Sequence, residues 1–526
     1  MKLCRGLRLQ QGAQAGAIAV LLMAGAVAQN NDPAPAARDN SATESLNQLQ
    51  SEVHELKEMV QQLKQETAAS RVEIIRLRQE LKSERTSQAS DSAPGNDQAS
   101  QVDVRIGHLE EEQQLLTGKV DEQYQTKVES ASKYRVRFSG IALFNLFSTQ
   151  GTVDNIDVPE LAYRQNGLSS SGSFGGTLRQ SIFGFEVFGP QLMGARTSAS
   201  MNFDAGGGFP WVSNGVNFGL VRLRTASMRL DWKDTDVVMG QEQLFFQPNS
   251  PTSFASLIVP ALSYAGNLWA WTPQVHVEHR FAMTEKSTFA LQGGILDALT
   301  GEPPADEYTW YRAPQAGERS RQPAYAARVA YSHPVSGRNF TIGAAGYYSR
   351  ENWGYNRDVN GYAALADWNL PLSQKFDLSG SFYRGQAIGG LSGGIGRSVL
   401  FNGPLIDAST SVIPLNTVGG WAQLKYRATT KLELNAAFGQ DNPFAADLRA
   451  FSEPQSYGDP TLTRNQGVFG NVIYRPRSDI LFSLEYRHLK TFSIYDSNSS
   501  ASQVNLGMGI LFSGANWQDA QNSRCC

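Results

Sequence analysis

From residue 131 to residue 512 the chain repeats one pattern. In 502–512, Val504, Leu506, Met508, Ile510 and Phe512 are apolar, while Asn505, Gly507 and Gly509 between them are small or polar. A period of two puts the apolar side chains on one face of a strand. The same alternation predicts strands over 133–147, 178–188, 195–204, 220–232, 235–245, 268–281, 287–296, 324–331, 339–348, 361–370, 375–384, 417–428, 431–439, 466–474, 479–491 and 502–512. The connections alternate too. Short ones such as 233–234 and 429–430 interleave with long ones such as 148–177, 246–267, 297–323 and 385–416. An even set of strands, each of about ten residues, with short turns at one end and long loops at the other, is the pattern of a transmembrane β-barrel. The expected fold is therefore a transmembrane barrel of about 16 antiparallel strands, with both of its ends on the short-turn side.

Ahead of the barrel the period changes. Lys2, Arg5 and Arg8 precede a small apolar run that ends in Ala26-Val27-Ala28, so 1–28 reads as a secretory signal peptide. Residues 29–43 read as a disordered linker. In 44–84, Leu46, Val53, Val60, Ile74 and Leu81 alternate at spacings of three and four with Leu49, Leu56, Leu63 and Leu77, which predicts an α-helical coiled coil. Residues 85–101 form a second linker, and 102–130 carry a shorter helical stripe through Val102, Ile106, Leu109, Leu116 and Val120. A single helix would leave such a stripe exposed. A partner chain would cover it, as would a hairpin of the two stripes within one chain. A polar tail, 513–526, follows the last strand.

Composition agrees with a barrel. Charged residues make up 18% of the 526, glycines number 49 and aromatics are 10%. After residue 30 no apolar run is long enough for a membrane helix. The net charge of −3 is spread without a basic block, so no nucleic-acid partner is expected. Cys4 lies in the export segment, and Cys525 and Cys526 are neighbours at the end, so no disulfide framework is expected. Gly390-Leu391-Ser392-Gly393-Gly394 fits a nucleophile motif, but sits in a Gly-rich loop instead of the strand-to-helix elbow that the motif needs. The His residues show no metal-ligand spacing. No catalytic residue, cofactor or metal is expected.

Strand parity places Arg135, Arg137, Arg196, Arg229, His276, Glu278, Arg280, Arg328, Lys425, Arg427 and Arg487 on the inner face, together with Glu186, Asp204, Asp231, Asp367, Asp377, Glu433 and Glu485. These residues are the candidate lining of a water-filled path. They would act either as an Arg ladder facing acids across a narrow eyelet or as ion pairs that stiffen the wall. The long connection 246–267 contains no charged residue, so it is expected to fold against the inner wall, with Phe254 and Tyr264 at the constriction. A place at an interface between barrels is the alternative for this loop.

With coil, strands and loops placed, the chain resembles the DcaP-like porins. The resemblance is carried by the heptads at 46–81, by 134–144, and by the words Arg179-Gln180-Ser181-Ile182-Phe183-Gly184-Phe185-Glu186, Arg229-Leu230-Asp231-Trp232-Lys233-Asp234, Gly240-Gln241 and Ala265-Gly266-Asn267-Leu268-Trp269-Ala270. It implies a homotrimer in the outer membrane, among lipid and lipopolysaccharide, with the coiled coil in the periplasm. It also implies passive diffusion of small hydrophilic solutes, often anionic and dicarboxylate-like. The tail after Phe512 departs from the usual terminal aromatic. A second reading is structural: five heptads span about 50 Å, enough for a barrel-anchored tether that reaches toward the cell wall.

Overall fold

The computed structural model describes residues 135–168, 170–208, 219–302, 312–335, 337–450, 462–494 and 497–512. The signal peptide, both linkers, the coiled coil, the shorter helical stripe and the polar tail lie outside the described residues.

The described chain is one antiparallel barrel. Its strands are β1 (Arg135–Gln150), β2 in two pieces (Gly172–Thr177 and Ile182–Phe188), β3 (Arg196–Asp204), β4 (Arg222–Asp231), β5 (Thr235–Gln243), β6 (Trp271–Ala282), β7 (Thr288–Leu296) and β8 (Ala324–Val335). They continue as β9 (Arg338–Asn352), β10 (Asp358–Pro371), β11 (Phe376–Gln386), β12 (Asn416–Arg427), β13 (Leu432–Pro443), β14 (Leu462–Arg477), β15 (Ile480–Ser493) and β16 (Ser499–Phe512). Each pairs with the next, and β16 pairs back onto β1 from Gly140↔Phe512 to Gln150↔Ser502, so the sheet has no free edge. Both pieces of β2 pair with β1 and count as one strand, which makes sixteen.

All sixteen expected strands are present, with three differences. β2 begins earlier than expected, because Gly172–Thr177 carries little besides Phe174 to reveal an alternation. The connections expected at 349–360 and 492–501 are mostly ladder. β9 and β10 pair as far as Asn352↔Asp358, where left-handed Tyr355 and Asn356 close a tight turn. β15 and β16 pair as far as Thr491↔Ser499.

The outward face is an apolar belt. Val504, Leu506, Met508 and Ile510 alternate with inward Gln503, Asn505, Gly507 and Gly509, and Leu506 is 51% exposed on a chain with no water-soluble reason to expose it. Aromatic rows border the belt. Tyr325, Tyr348 and Tyr362 are register partners at the long-loop end, as are Phe281, Phe289 and Tyr331 at the short-turn end. Along β8, Tyr325 and Tyr331 stand about 20 Å apart at about 3.3 Å per residue, close to the roughly 25 Å apolar band of membrane barrels.

Candidate functional site: the barrel interior

The inner wall carries charged side chains toward both ends, Arg280 and Asp377 near the short turns and Glu351 and Asp441 near the long loops, with apolar Ile141, Leu143, Ile473 and Leu481 in one sector. The ladders bring together several of the charged residues that parity assigned to the inner face. Arg137 faces Glu186, Arg196 faces Asp231, and Arg229 neighbours Asp236 across the ladder from β4 to β5. Most of these cations are paired. Arg196 bonds Asp231, and Arg280 bonds Asp236 and Glu278, the latter at 2.8 Å. Lys425 lies 3.2 Å from Glu433, and Arg427 and Arg338 share Asp377. Arg328 makes a two-pronged bond to Asp367 at 2.9 and 2.7 Å, and Arg487 bonds Glu485 at 2.8 Å. His276 stacks on Phe245 at 4.6 Å. Arg135 is exposed at the short-turn rim.

Access separates these groups. The Arg196 side chain is 77% exposed and that of Arg137 44%, whereas Arg328 and Arg487 are at 7% and 5%. Arg328 and Arg487 face inward but are covered, so the accessible charge gathers at the short-turn mouth. Cations outnumber acids there, with Arg135, Arg137, Arg196, Arg229, Arg280, Arg338, Lys425 and Arg427 against Glu186, Asp231, Asp236, Glu278, Asp377 and Glu433.

The cover is the uncharged connection between β5 and β6, which folds inside the barrel and is fastened round the wall. Gln247 donates to the Ser381 hydroxyl at 2.8 Å, and the Thr252 amide to Gln423 at 2.6 Å. Asn471 donates to the Thr252 carbonyl, Ser253 to Glu485, and Asn145 to the Phe254 carbonyl. Phe254 is buried against Ile141, Leu143, Ile182, Ile473 and Leu481, with the Arg475 guanidinium 5.6 Å from its ring. Tyr264 packs against Leu161, Ile395 and Leu462, and Asn465 donates to its carbonyl at 3.0 Å. Both aromatic rings are therefore wedged between the loop and its surroundings. Gly439 and Gly467 thin the wall where the loop lies: a Cβ on Gly439 would stand 2.2 Å from the Ala265 carbonyl oxygen, and one on Gly467 would stand 2.7 Å from Leu262.

A second connection also enters, where a plain outer loop was expected. In 387–400, Ile388 and Leu391 join Phe246, Leu268 and Tyr383 in one buried cluster, and the Leu391 carbonyl accepts from the Trp269 amide at 3.1 Å. Ser392 lies here in a left-handed conformation, its hydroxyl directed at the Trp269 carbonyl. Glu302, in the connection that follows β7, is buried and accepts the amides of Ser398 and Val399 at 2.9 and 3.0 Å. Burial pushes its carboxyl up to about 7, against the pull of these backbone bonds.

Parity missed two further inward residues. The β3–β4 register runs Asn202↔Thr225 and then Phe203↔Leu223, a bulge that turns Arg222 and Arg224 inward. Both reach Asp204 and lie over Trp271, at 4.7 and 4.4 Å. Trp271 is thus engaged by two guanidiniums.

No protein-family model matches the chain, and none of the curated proteins matches it. Among solved structures, the outer membrane channel DcaP of Acinetobacter baumannii superposes with a TM-score of 0.54 at 14% identity, over 72% of this chain and 99% of that one. OmpT of Vibrio cholerae follows at 0.40 and 9%, over 73% and 100%, and Salmonella typhi OmpF at 0.41 and 11%, over 72% and 98%. The barrel of this chain has the fold of the outer-membrane channel DcaP.

Proposed function

We propose that the chain is an outer-membrane porin through which small hydrophilic solutes diffuse passively. One observation carries the reading: a closed ring with an apolar outer belt surrounds an inner face built from charged and amide side chains. The short turns and both ends of the barrel face the periplasm, the long loops face outward, and the coiled coil ahead of β1 joins three copies on the periplasmic side. The likeness to a protein described as an outer membrane channel supports this placement.

Anionic solutes, dicarboxylates among them, are the preferred class. Arg135, Arg137, Arg196, Arg229, Arg280 and Arg427, with Arg338 and Lys425, outweigh the six acids at the periplasmic mouth, and guanidinium forks match carboxylates. Arg328, Arg487 and His276 shape the wall above them, and Glu278 holds Arg280 at the mouth. Conductance of the purified protein in a planar bilayer, read with the reversal potential under a salt gradient, tests both parts. We expect discrete steps with an anion-biased reversal, and Arg196→Glu together with Arg137→Glu moves that reversal toward cations. Absence of steps from a folded barrel overturns the porin reading. One feature favours the alternative of a barrel-anchored tether to the cell wall, namely the two connections folded into the interior. A silent barrel whose 29–130 segment binds peptidoglycan would establish it.

A further inference from the structure

The outer half of β2 is separated from its inner half by four residues that leave the ladder. Ile141 pairs with Ile182 and Asn145 with Thr177, so Ala142, Leu143 and Phe144 of β1 face Leu178, Arg179, Gln180 and Ser181. Such a bulge breaks pairing and re-aims side chains. Ser181 repairs the ladder, its hydroxyl accepting from the Leu143 amide at 2.9 Å. Arg179 turns to Asp157 and to the Ala205 carbonyl. Gln180, fully buried, points at the inserted loop.

We propose that Gln180, Arg222 and Arg224 are positioning residues that clamp the Leu257-Ile258 dipeptide and thereby set the aperture of the pore. The Gln180 side-chain carbonyl accepts both amides of the dipeptide, Leu257 at 2.7 Å and Ile258 at 3.0 Å, and its Nε2 donates to the Ala255 carbonyl at 3.1 Å. The opposite side of the dipeptide is held as well. Arg224 donates to the Leu257 carbonyl and Arg222 to the Ile258 carbonyl. All four backbone polar groups of the dipeptide are met by side chains from the wall, which is what a buried segment without a ladder requires. The two arginines are themselves fixed, Arg222 by Asp204 at 2.9 and 3.1 Å and both by the Trp271 face. Each half of the clamp thus comes from a bulge, one in β2 and one in β4. The loop's own backbone bonds lie to either side, from the Gln247 amide to Leu244 before the dipeptide, and from the Ser263 amide to Pro260 and the Asn267 amide to Leu262 after it. Over 255–258 the wall thus supplies most of the bonds, and the loop itself adds the Ser253 hydroxyl, which accepts the Ala255 amide at 3.1 Å.

The clamp rests on the porin reading only for its effect on current. The test is Gln180→Leu, similar in size but without either bond, in the full-length protein. Amide exchange of 255–262, single-channel current and the temperature at which the barrel unfolds on a gel are read together. We expect exchange of 255–262 to rise ten-fold or more and the single conductance level to split into several, with the unfolding temperature little changed. If the wild type carries no current, the porin reading falls and the exchange measurement alone decides the clamp. Unchanged exchange overturns the proposal, whatever happens to thermal stability. If Gln180→Leu does not fold, Arg224→Lys keeps the charge and loses the fork; faster exchange of the same segment supports the clamp and unchanged exchange overturns it.

Discussion

Arg328 and Glu302 show how differently a buried charge behaves beside an opposite charge and beside backbone amides alone. Arg328 and Asp367 are both nearly inaccessible and bonded through two N–H groups. Removing one leaves the other charged in a place without water, a loss of about 3–5 kcal/mol. Asp367→Ala is therefore expected to lower the unfolding temperature of the barrel sharply, while Arg196→Ala, at an exposed pair, leaves it nearly unchanged; heat-modifiability on a gel distinguishes them. Glu302 has backbone amides as partners and its carboxyl is raised to about 7 from an ordinary 4.5. Its neutral form is the one the fold favours. The stabilisation is complete below about 4.5, falls as pH rises, and is gone above about 7, on the order of 3 kcal/mol in all. Protection of the Ser398 and Val399 amides, their exchange divided by its intrinsic rate at each pH, should accordingly be greater at pH 5 than at pH 8, and Glu302→Gln should remove that difference in protection. At this scale parity was a good guide to which way Arg137, Arg280 and Glu485 point, because a ladder without bulges keeps its count. It failed at Arg222 and Arg224, because one extra residue in β4 reverses the count beyond it and nothing in the local composition marks the place.

Among elements, the strands were legible and the irregular pieces were not. An outward residue must be apolar to meet hydrocarbon, so alternation survives in β8, β14 or β16 whatever the inner face carries. The first piece of β2 escaped because its glycines leave no alternation to read. The lack of charge in the β5–β6 connection announced that it is covered, but not that a second loop would meet it. Against the wall the first loop is also tight. Gly266 has a positive φ of 97°, and a Cβ there would stand 2.2 Å from the Gly420 carbonyl oxygen and 2.6 Å from that of Gln440. Gly266→Ala is expected to cost more than about 1 kcal/mol of loop docking, seen as faster exchange across 262–268 with the strand ladders still protected.

For the molecule as a whole, the inserted loop makes a sixteen-stranded ring behave as a narrower one. Replacing 249–263 with a short Gly-Ser run should raise single-channel conductance several-fold and leave the barrel folded, since the sixteen ladders do not depend on those residues; an unchanged conductance would mean that the narrowing lies elsewhere. The same loop has a consequence in time. Its bonds reach Ser381 in β11, Asn471 in β14, Glu485 in β15 and Asn145 in β1, strands from opposite ends of the chain. Asn145 in turn bonds Asn505 of β16 at 2.8 Å. The seat for the loop does not exist until the last strand has found the first. Docking of the loop is thus the closing event of assembly, and a barrel stalled one strand short would leave this uncharged segment unsheltered, available to whatever disposes of unfinished chains.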